Sequence, residues 1–359
     1  MAIYIILILT TSVLAFLCKP RNVQYNLSSS GYESDSSTNK YLCVCGFLFI
    51  FIAAFRHSSV GIDTVVYEDA FNYFLANANL RDIFTNGRFE PGFSAVIVLL
   101  RKLGSFFWLK LFVVTVNVCL IFKAINKYSS IVWLSCLLYF LYAIYRANFN
   151  EMRQAVAVAI AIYGFKYIVD KNFWKYLLTI SIAFLFHKTA LLMIPLFFFA
   201  YFDKVKIWHM ISIGILFVAI WTYSYFFIDI INLIGRNEYT LNEETGGWAL
   251  FALQLLTVVI AFIQRDKLNQ SRVNIASFYL VSFSLILFPI CHLNPTFFRM
   301  EFYAWIYMLF LVPNMLKSIE NSLIRNIGII CYIGIGLYQA FSQTYTAQTD
   351  FIPYMFMWE

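Results

Sequence analysis

The sequence is poor in charge. Only 13% of its 359 residues are Asp, Glu, Lys or Arg, while 61% are hydrophobic, and the mean hydropathy is +0.73. A water-facing domain carries roughly 25% charged residues, because its surface must be solvated. The shortfall excludes a soluble enzyme and a disordered chain and leaves an integral membrane protein. The alternating segments of about 10 residues that build a membrane β-barrel are missing too. The apolar runs are longer and suit helices. An aromatic content of 20%, with 39 Phe and 24 Tyr, fits lipid-facing and interfacial side chains.

Metal-binding spacing is absent. The seven Cys (Cys18, Cys43, Cys45, Cys119, Cys136, Cys291, Cys331) lie in or beside apolar segments. In the one close pair, Cys43 and Cys45 would point apart on a helix. The four His are scattered, with no carboxylate at ligand spacing. Walker, Rossmann and nucleophile-elbow motifs do not occur, so neither a metal nor a cofactor is expected. The net charge of +7 is never gathered into a stripe, which argues against nucleic acid as a partner. The first apolar run has no basic residue before it and Lys19 and Arg21 after it, the reverse of a cleaved signal peptide. It is expected to be a retained helix with its N-terminus outside.

Apolar segments fall near 2–18, 41–55, 91–100, 105–122, 130–145, 154–169, 173–186, 189–202, 207–228, 248–264, 274–291, 301–316 and 324–341. They predict an all-α, polytopic membrane helix bundle. Lys and Arg crowd six loops, around Lys19/Arg21/Lys40, Lys123/Lys127, Lys171/Lys175, Lys204/Lys206, Arg265/Lys267/Arg272 and Lys317/Arg325. Putting all of these inside requires one segment not to cross. The candidate is 91–100, which is short and opens with Pro91-Gly92, and reads as a periplasmic or re-entrant helix. About twelve crossings remain, forming a single transmembrane domain. It carries a Ser-rich cytoplasmic loop at 19–40 and a large periplasmic loop at 56–92.

That partition separates the basic residues by kind. Eleven of the 15 inside are Lys, whereas eight of the 11 outside are Arg: Arg56, Arg81, Arg88, Arg101, Arg146, Arg153, Arg236 and Arg299. Topology needs positive charge of either type. Arg alone offers a planar fork that grips phosphate or carboxylate through two bonds. The outer Arg residues therefore point to an anionic ligand or, more blandly, to ion pairs with the surplus outer acids. The runs 173–186 and 189–202 are also short for a hydrocarbon core of about 30 Å. Their connecting turn at His187-Lys188, like the one at 146–153, should sit in a polar recess.

Within the 56–91 loop, Gly61 permits a turn, and Asp63 and Thr64 could cap a helix through Tyr67. Arg153 and Gln154 open a small-residue helix at Ala155–Ala159. Helix N-termini favour anions, so Arg153 needs a bound anion or Glu151 beside it. His187 can accept a proton, donate to phosphate or serve as a polar turn residue. His57 and His292 stay undecided, and His209 reads as interfacial. Arg299 and Tyr303 stand one helical turn apart and could reach one ligand, whereas Glu301 points elsewhere. The aromatic tail ending Phe356-Met357-Trp358-Glu359 either caps the site or lies in the interface.

In order, Arg56…Gly61-Ile62-Asp63-Thr64…Tyr67, Glu90-Pro91-Gly92-Phe93, Asn150…Arg153-Gln154…Ala157, His187-Lys188-Thr189-Ala190-Leu191 and Arg299…Tyr303 resemble the EpsG family. That family belongs with Wzy-type O-antigen and exopolysaccharide polymerases, and the likeness runs from about residue 41 to 316. The Ser-rich insert Ser28 to Thr38 departs from the family's short first loop. The resemblance implies a bacterial inner-membrane enzyme joining undecaprenyl-diphosphate-linked repeat units on the periplasmic side, with a fold akin to lipid-dependent (GT-C-like) glycosyltransferases. Membrane lipids, a chain-length regulator and a repeat-unit flippase are the partners such a role calls for.

Glycosyl transfer from a lipid diphosphate needs the leaving charge stabilised and the acceptor hydroxyl deprotonated. Arg153 and Arg299 are the first candidates for the diphosphate, supported by Arg56 or Arg88. Gln154, Tyr303, Tyr67 and Asn150 stand as further ligand-binding candidates. Asp63, Glu90 and His187 compete as the base. A lipid-linked glycan transporter or flippase, and a membrane O-acyltransferase acting on surface glycans, are the competing classes.

Overall fold

The computed structural model describes residues 2–20, 22–23, 33–74, 88–235, 247–294, 297–342 and 352–359. Arg81 and Arg236, residues 28–32 of the Ser-rich insert and the middle of the 56–92 loop lie outside the described residues.

Each apolar run becomes a helix or a pair of helices. The order is α1 (Ala2–Cys18), α2 (Ser36–Ala54), α3 (Thr64–Asp69), α4 (Pro91–Arg101), α5 (Phe107–Tyr128), α6 (Val132–Leu141), α7 (Ala147–Asn150), α8 (Met152–Tyr163) and α9 (Phe165–Val169). There follow α10 (Phe173–Phe184), a 3₁₀-rich stretch around α11 (Met193–Leu196), α12 (Ile207–Thr222), α13 (Ser224–Gly235), α14 (Trp248–Ile263) and α15 (Arg265–Leu268). The chain closes with α16 (Arg272–Leu293), α17 (Phe298–Trp305), α18 (Met308–Lys317) and α19 (Ser322–Ser342). Two-residue strands, Asn22–Val23 and Glu33–Ser34, pair antiparallel between α1 and α2. Among the described residues, five helices are long and apolar enough to cross a membrane, or six if α12 and the start of α13 are one broken span.

Local chemistry sets the boundaries that apolar runs miss. α2 begins at Ser36, ahead of its apolar stretch, because the Asp35 carboxylate accepts from the Thr38 N–H at 2.7 Å. The run 207–228 does not form one helix. It bends by 71° after Thr222, where the Thr222 and Ser224 hydroxyls donate to the carbonyls of Val218 and Trp221.

α5 packs between α2 and α8, and α16 gathers α12, α14 and α17 around itself. α16 is apolar on every side and almost wholly enclosed, whereas α19 and α12 lie at the periphery. The loops read as inner from their charge meet one another: Lys171 pairs with Asp203 at 2.9 Å and Lys267 with Glu320 at 2.7 Å. At that end the Tyr279 hydroxyl also donates to the Lys204 carbonyl at 3.0 Å and contacts His209.

The opposite end holds the loops rich in Arg. α4 is only about 16 Å long, and the chain that follows it returns to the segment that precedes it. Phe106 packs on Phe71 at 5.8 Å, and Lys110 donates to the Arg56 carbonyl. α6 and α10 are also short, about 15 and 18 Å. The turn after α6 is enclosed, with Tyr142, Ile144 and Tyr145 buried, whereas the turn after α10 at Leu185–Lys188 is partly exposed at the Arg-rich end.

Candidate functional site

The Arg-rich end contains a polar basin built from segments far apart in sequence. Its hub is Glu90. Pro91 occupies the first position of α4 with its φ already fixed, which leaves Glu90 extended at the N-cap. The Gly92 N–H donates to the Leu185 carbonyl at 2.8 Å, and a Cβ on Gly92 would fall 2.8 Å from that same oxygen. Only glycine lets α4 press this closely against the turn after α10. Glu90-Pro91-Gly92 and His187-Lys188 are brought together by that contact.

Glu90 then uses both carboxylate oxygens. Oε2 accepts from Arg153 Nη1 at 2.6 Å, while Oε1 faces His187 Nδ1 at 3.2 Å and the Lys188 N–H at 3.3 Å. Arg153 therefore finds its counter-charge in Glu90 and not in Glu151, the neighbour its sequence position suggested. Its guanidinium also lies 5.0 Å from the Phe89 ring centre, and the Tyr67 ring stacks on Phe89 at 5.7 Å. Burial alone would raise the Glu90 carboxyl. The hydrogen bond with His187 and the charge of Arg153 outweigh it and hold the group at about 2. Glu90 is thus a fixed anion and a weak base.

The folded value lies below the ordinary 4.5, so the stabilisation from Glu90 is complete above about pH 4.5 and is lost as pH falls toward about 2. Glu90→Gln should flatten this acid limb, measured by thermal unfolding in detergent across that range. An unchanged acid limb would contradict the buried ion pair.

The second half of the basin centres on Arg299, in the first turn of α17. Its Nη2 is 3.5 Å from Asp63 Oδ2 and its Nε is 4.0 Å from Glu151 Oε1. These are long contacts, and the side chain is 41% exposed, so its donors remain available to an incoming anion. Gln154 donates to the Arg299 backbone carbonyl, fixing α17 to the start of α8. Asp63 stands at the N-cap of α3 but makes no side-chain cap bond; its carboxylate faces Arg299 instead. Gly61 sets that placement. Its φ of +102° folds the loop onto Phe149 and Asn150, where a Cβ would lie 2.7 Å from the Phe149 carbonyl. The Thr64 hydroxyl donates to that carbonyl at 2.9 Å.

Other expected ligand residues sit elsewhere. Arg88 is exposed beside Phe89 at the rim. Tyr303 shares a face of α17 with Arg299 but is fully buried, its hydroxyl directed toward Thr189. It forms part of the wall behind the basin.

Arg56 is fully enclosed. Its guanidinium donates to the carbonyls of Val60 at 3.3 Å, Asn148 at 3.0 Å and Ala53, and lies 4.7 Å from the Phe149 ring centre. Burial pushes it down to about 10, so it stays charged at neutral pH and ties its own 53–60 stretch to Asn148. The described end of the C-terminal tail, residues 352–359, docks on this side. Phe356 bridges Arg56, and the Tyr354 hydroxyl donates to Ile52 at 2.7 Å.

A buried polar keel runs beneath the basin. The Asn117 amide donates to the Ala155 carbonyl in the first turn of α8 at 2.7 Å, and its oxygen accepts from Tyr139 and Asn148. Sequence reasoning missed Asn117 and Lys110, although each is a lone polar residue in an apolar run, which was the available signal.

The chain matches the EpsG family over residues 39–356. No curated protein matches it, and no solved structure does.

Proposed function

The chain belongs to the EpsG family, and from that premise we propose that it is a polysaccharide polymerase joining lipid-diphosphate-linked repeat units at the periplasmic face of a bacterial inner membrane. The observation that carries this reading is that two charged groups, Glu90–Arg153–His187 and Asp63–Arg299–Glu151, both border Tyr67 and the start of α8. About twelve crossings and a likeness to lipid-dependent glycosyltransferases belong to the same proposal.

In this mechanism Arg299 takes the diphosphate of the donor, with Arg153 behind it. The acceptor hydroxyl attacks the anomeric carbon. The carbon–oxygen bond to diphosphate breaks, and its electron pair leaves on a diphosphate oxygen neutralised by guanidinium. The hydroxyl proton goes to His187 Nε2. Glu90 holds the imidazole through Nδ1, so Nε2 carries the lone pair. Glu90 is too weak a base for that task, and Asp63 is engaged by Arg299, which favours His187. A single displacement inverts the anomeric centre.

The test is a reconstituted reaction of the purified protein with undecaprenyl-diphosphate-linked repeat. A ladder of glycan lengths is expected. Translocated but unextended repeat would favour a flippase, and acylated repeat an acyltransferase; either result would overturn the proposal.

A further inference from the structure

Asn117 lies midway along α5, a helix long and apolar enough to cross a membrane, and is only 1% exposed. An amide placed there has to find its partners inside the protein. It finds them on both sides of a break in the backbone. Asn117 Nδ2 donates to the Ala155 carbonyl of α8 at 2.7 Å, and its Oδ1 accepts from Asn148 Nδ2 of α7 at 3.2 Å. Between those contacts the chain leaves helical geometry at Glu151, with φ −107° and ψ 55°, and α8 starts anew. The angle between α7 and α8 is therefore set across the break, and Asn117 spans it.

The bridged stretch serves both charged groups. Arg153 pairs with Glu90 at 2.6 Å, and Gln154 donates to the Arg299 carbonyl. The Phe149 carbonyl accepts at 2.9 Å from Thr64, the neighbour of Asp63. Asn148 is itself anchored. Its carbonyl accepts from Arg56 Nη2 at 3.0 Å, and its side-chain amide also donates to the Tyr145 carbonyl at 2.8 Å. The bridge thus holds the start of α8 against a fixed point.

We propose that Asn117 is a positioning residue: by tying Asn148 to Ala155, it sets where Arg153 and, through Gln154, Arg299 stand for the diphosphate. The proposal rests on the diphosphate reading of those two arginines and adds what aims them. Misplacing a binding group by about 1 Å can cost about 10²-fold in rate, which is the scale such a bridge controls.

The test uses full-length protein in nanodiscs, with inorganic diphosphate as the binding probe and lipid-linked repeat for turnover. Asn117→Leu removes both contacts at similar volume. Asn148→Ala breaks the other end of the bridge, keeps the backbone tie to Arg56, and carries the test alone should the Leu variant not fold. Each should weaken diphosphate about tenfold and lower kcat/KM about 10–10²-fold. In an Arg153→Ala background the effect of Asn117→Leu should shrink, whereas a general loss of structure would add in full. Tyr139→Phe removes a third bond to Asn117 and leaves the bridge intact, so it should bind diphosphate as the parent does. Parent affinity in both bridge variants, full additivity with Arg153→Ala, or an equal loss in Tyr139→Phe would overturn the positioning role. Diphosphate binding unmoved by Arg153→Ala and by Arg299→Ala would instead remove the headgroup reading on which that role depends.

Discussion

Glu90→Ala is expected to stop chain growth and to destabilise the fold together. The carboxylate is enclosed and serves Arg153, His187 and the Lys188 N–H at once. Its removal leaves a guanidinium and an imidazole facing each other with no anion between them. Breaking a buried pair from one side costs about 3–5 kcal/mol. Arg153 retains some access to water, so the lower end of that range applies. Unfolding in detergent should show the loss, and turnover of lipid-linked repeat should fall to background. Glu90→Gln keeps the shape and can still meet one donor, so it should fall between parent and Ala. Wild-type stability and turnover in Glu90→Ala would dismiss Glu90 as the hub.

Arg299→Ala should behave differently. The side chain is partly exposed and its acid contacts are long, so stability should stay within about 0.5 kcal/mol of the parent. Turnover should fall by about 10²–10³-fold, the cost of removing one donor aimed at developing charge. Arg299→Lys should restore little, because a point charge does not reproduce the two-pronged grip on a diphosphate. Full activity in Arg299→Lys would argue against that grip. Equal losses of stability in Arg299→Ala and Glu90→Ala would mean Arg299 is scaffold.

Much of this arrangement is written in residue order. Among the described residues, apolar runs located each of the five or six helices long and apolar enough to cross a membrane, because little else stabilises such a run in lipid. Lys-rich loops such as Lys171 and Lys267 did gather at one end. The five motifs converged as well, since turn and cap residues such as Gly61, Pro91 and Gly92 act locally and show in sequence. Partner identity was not legible. Arg153 pairs with Glu90, 63 positions away, and no spacing rule reaches that far. Arg56 looked like its outer neighbours, yet it is enclosed by two nearby carbonyls, Ala53 and Val60, and by that of Asn148, 92 positions away. Whether an Arg faces ligand or backbone depends on which helices become neighbours. The break at Tyr223 was missed because Ser and Thr hydroxyls bend a helix without interrupting its hydropathy.

The most direct measurement is a structure of the full-length protein in a lipid bilayer with its lipid-linked diphosphate bound. The diphosphate should lie against Arg299 with Arg153 behind it, and the first sugar should lie within reach of His187 Nε2. A diphosphate at the Lys-rich end, or a headgroup held elsewhere while Asp63 and Glu90 keep both guanidinium groups closed, would contradict the assignment.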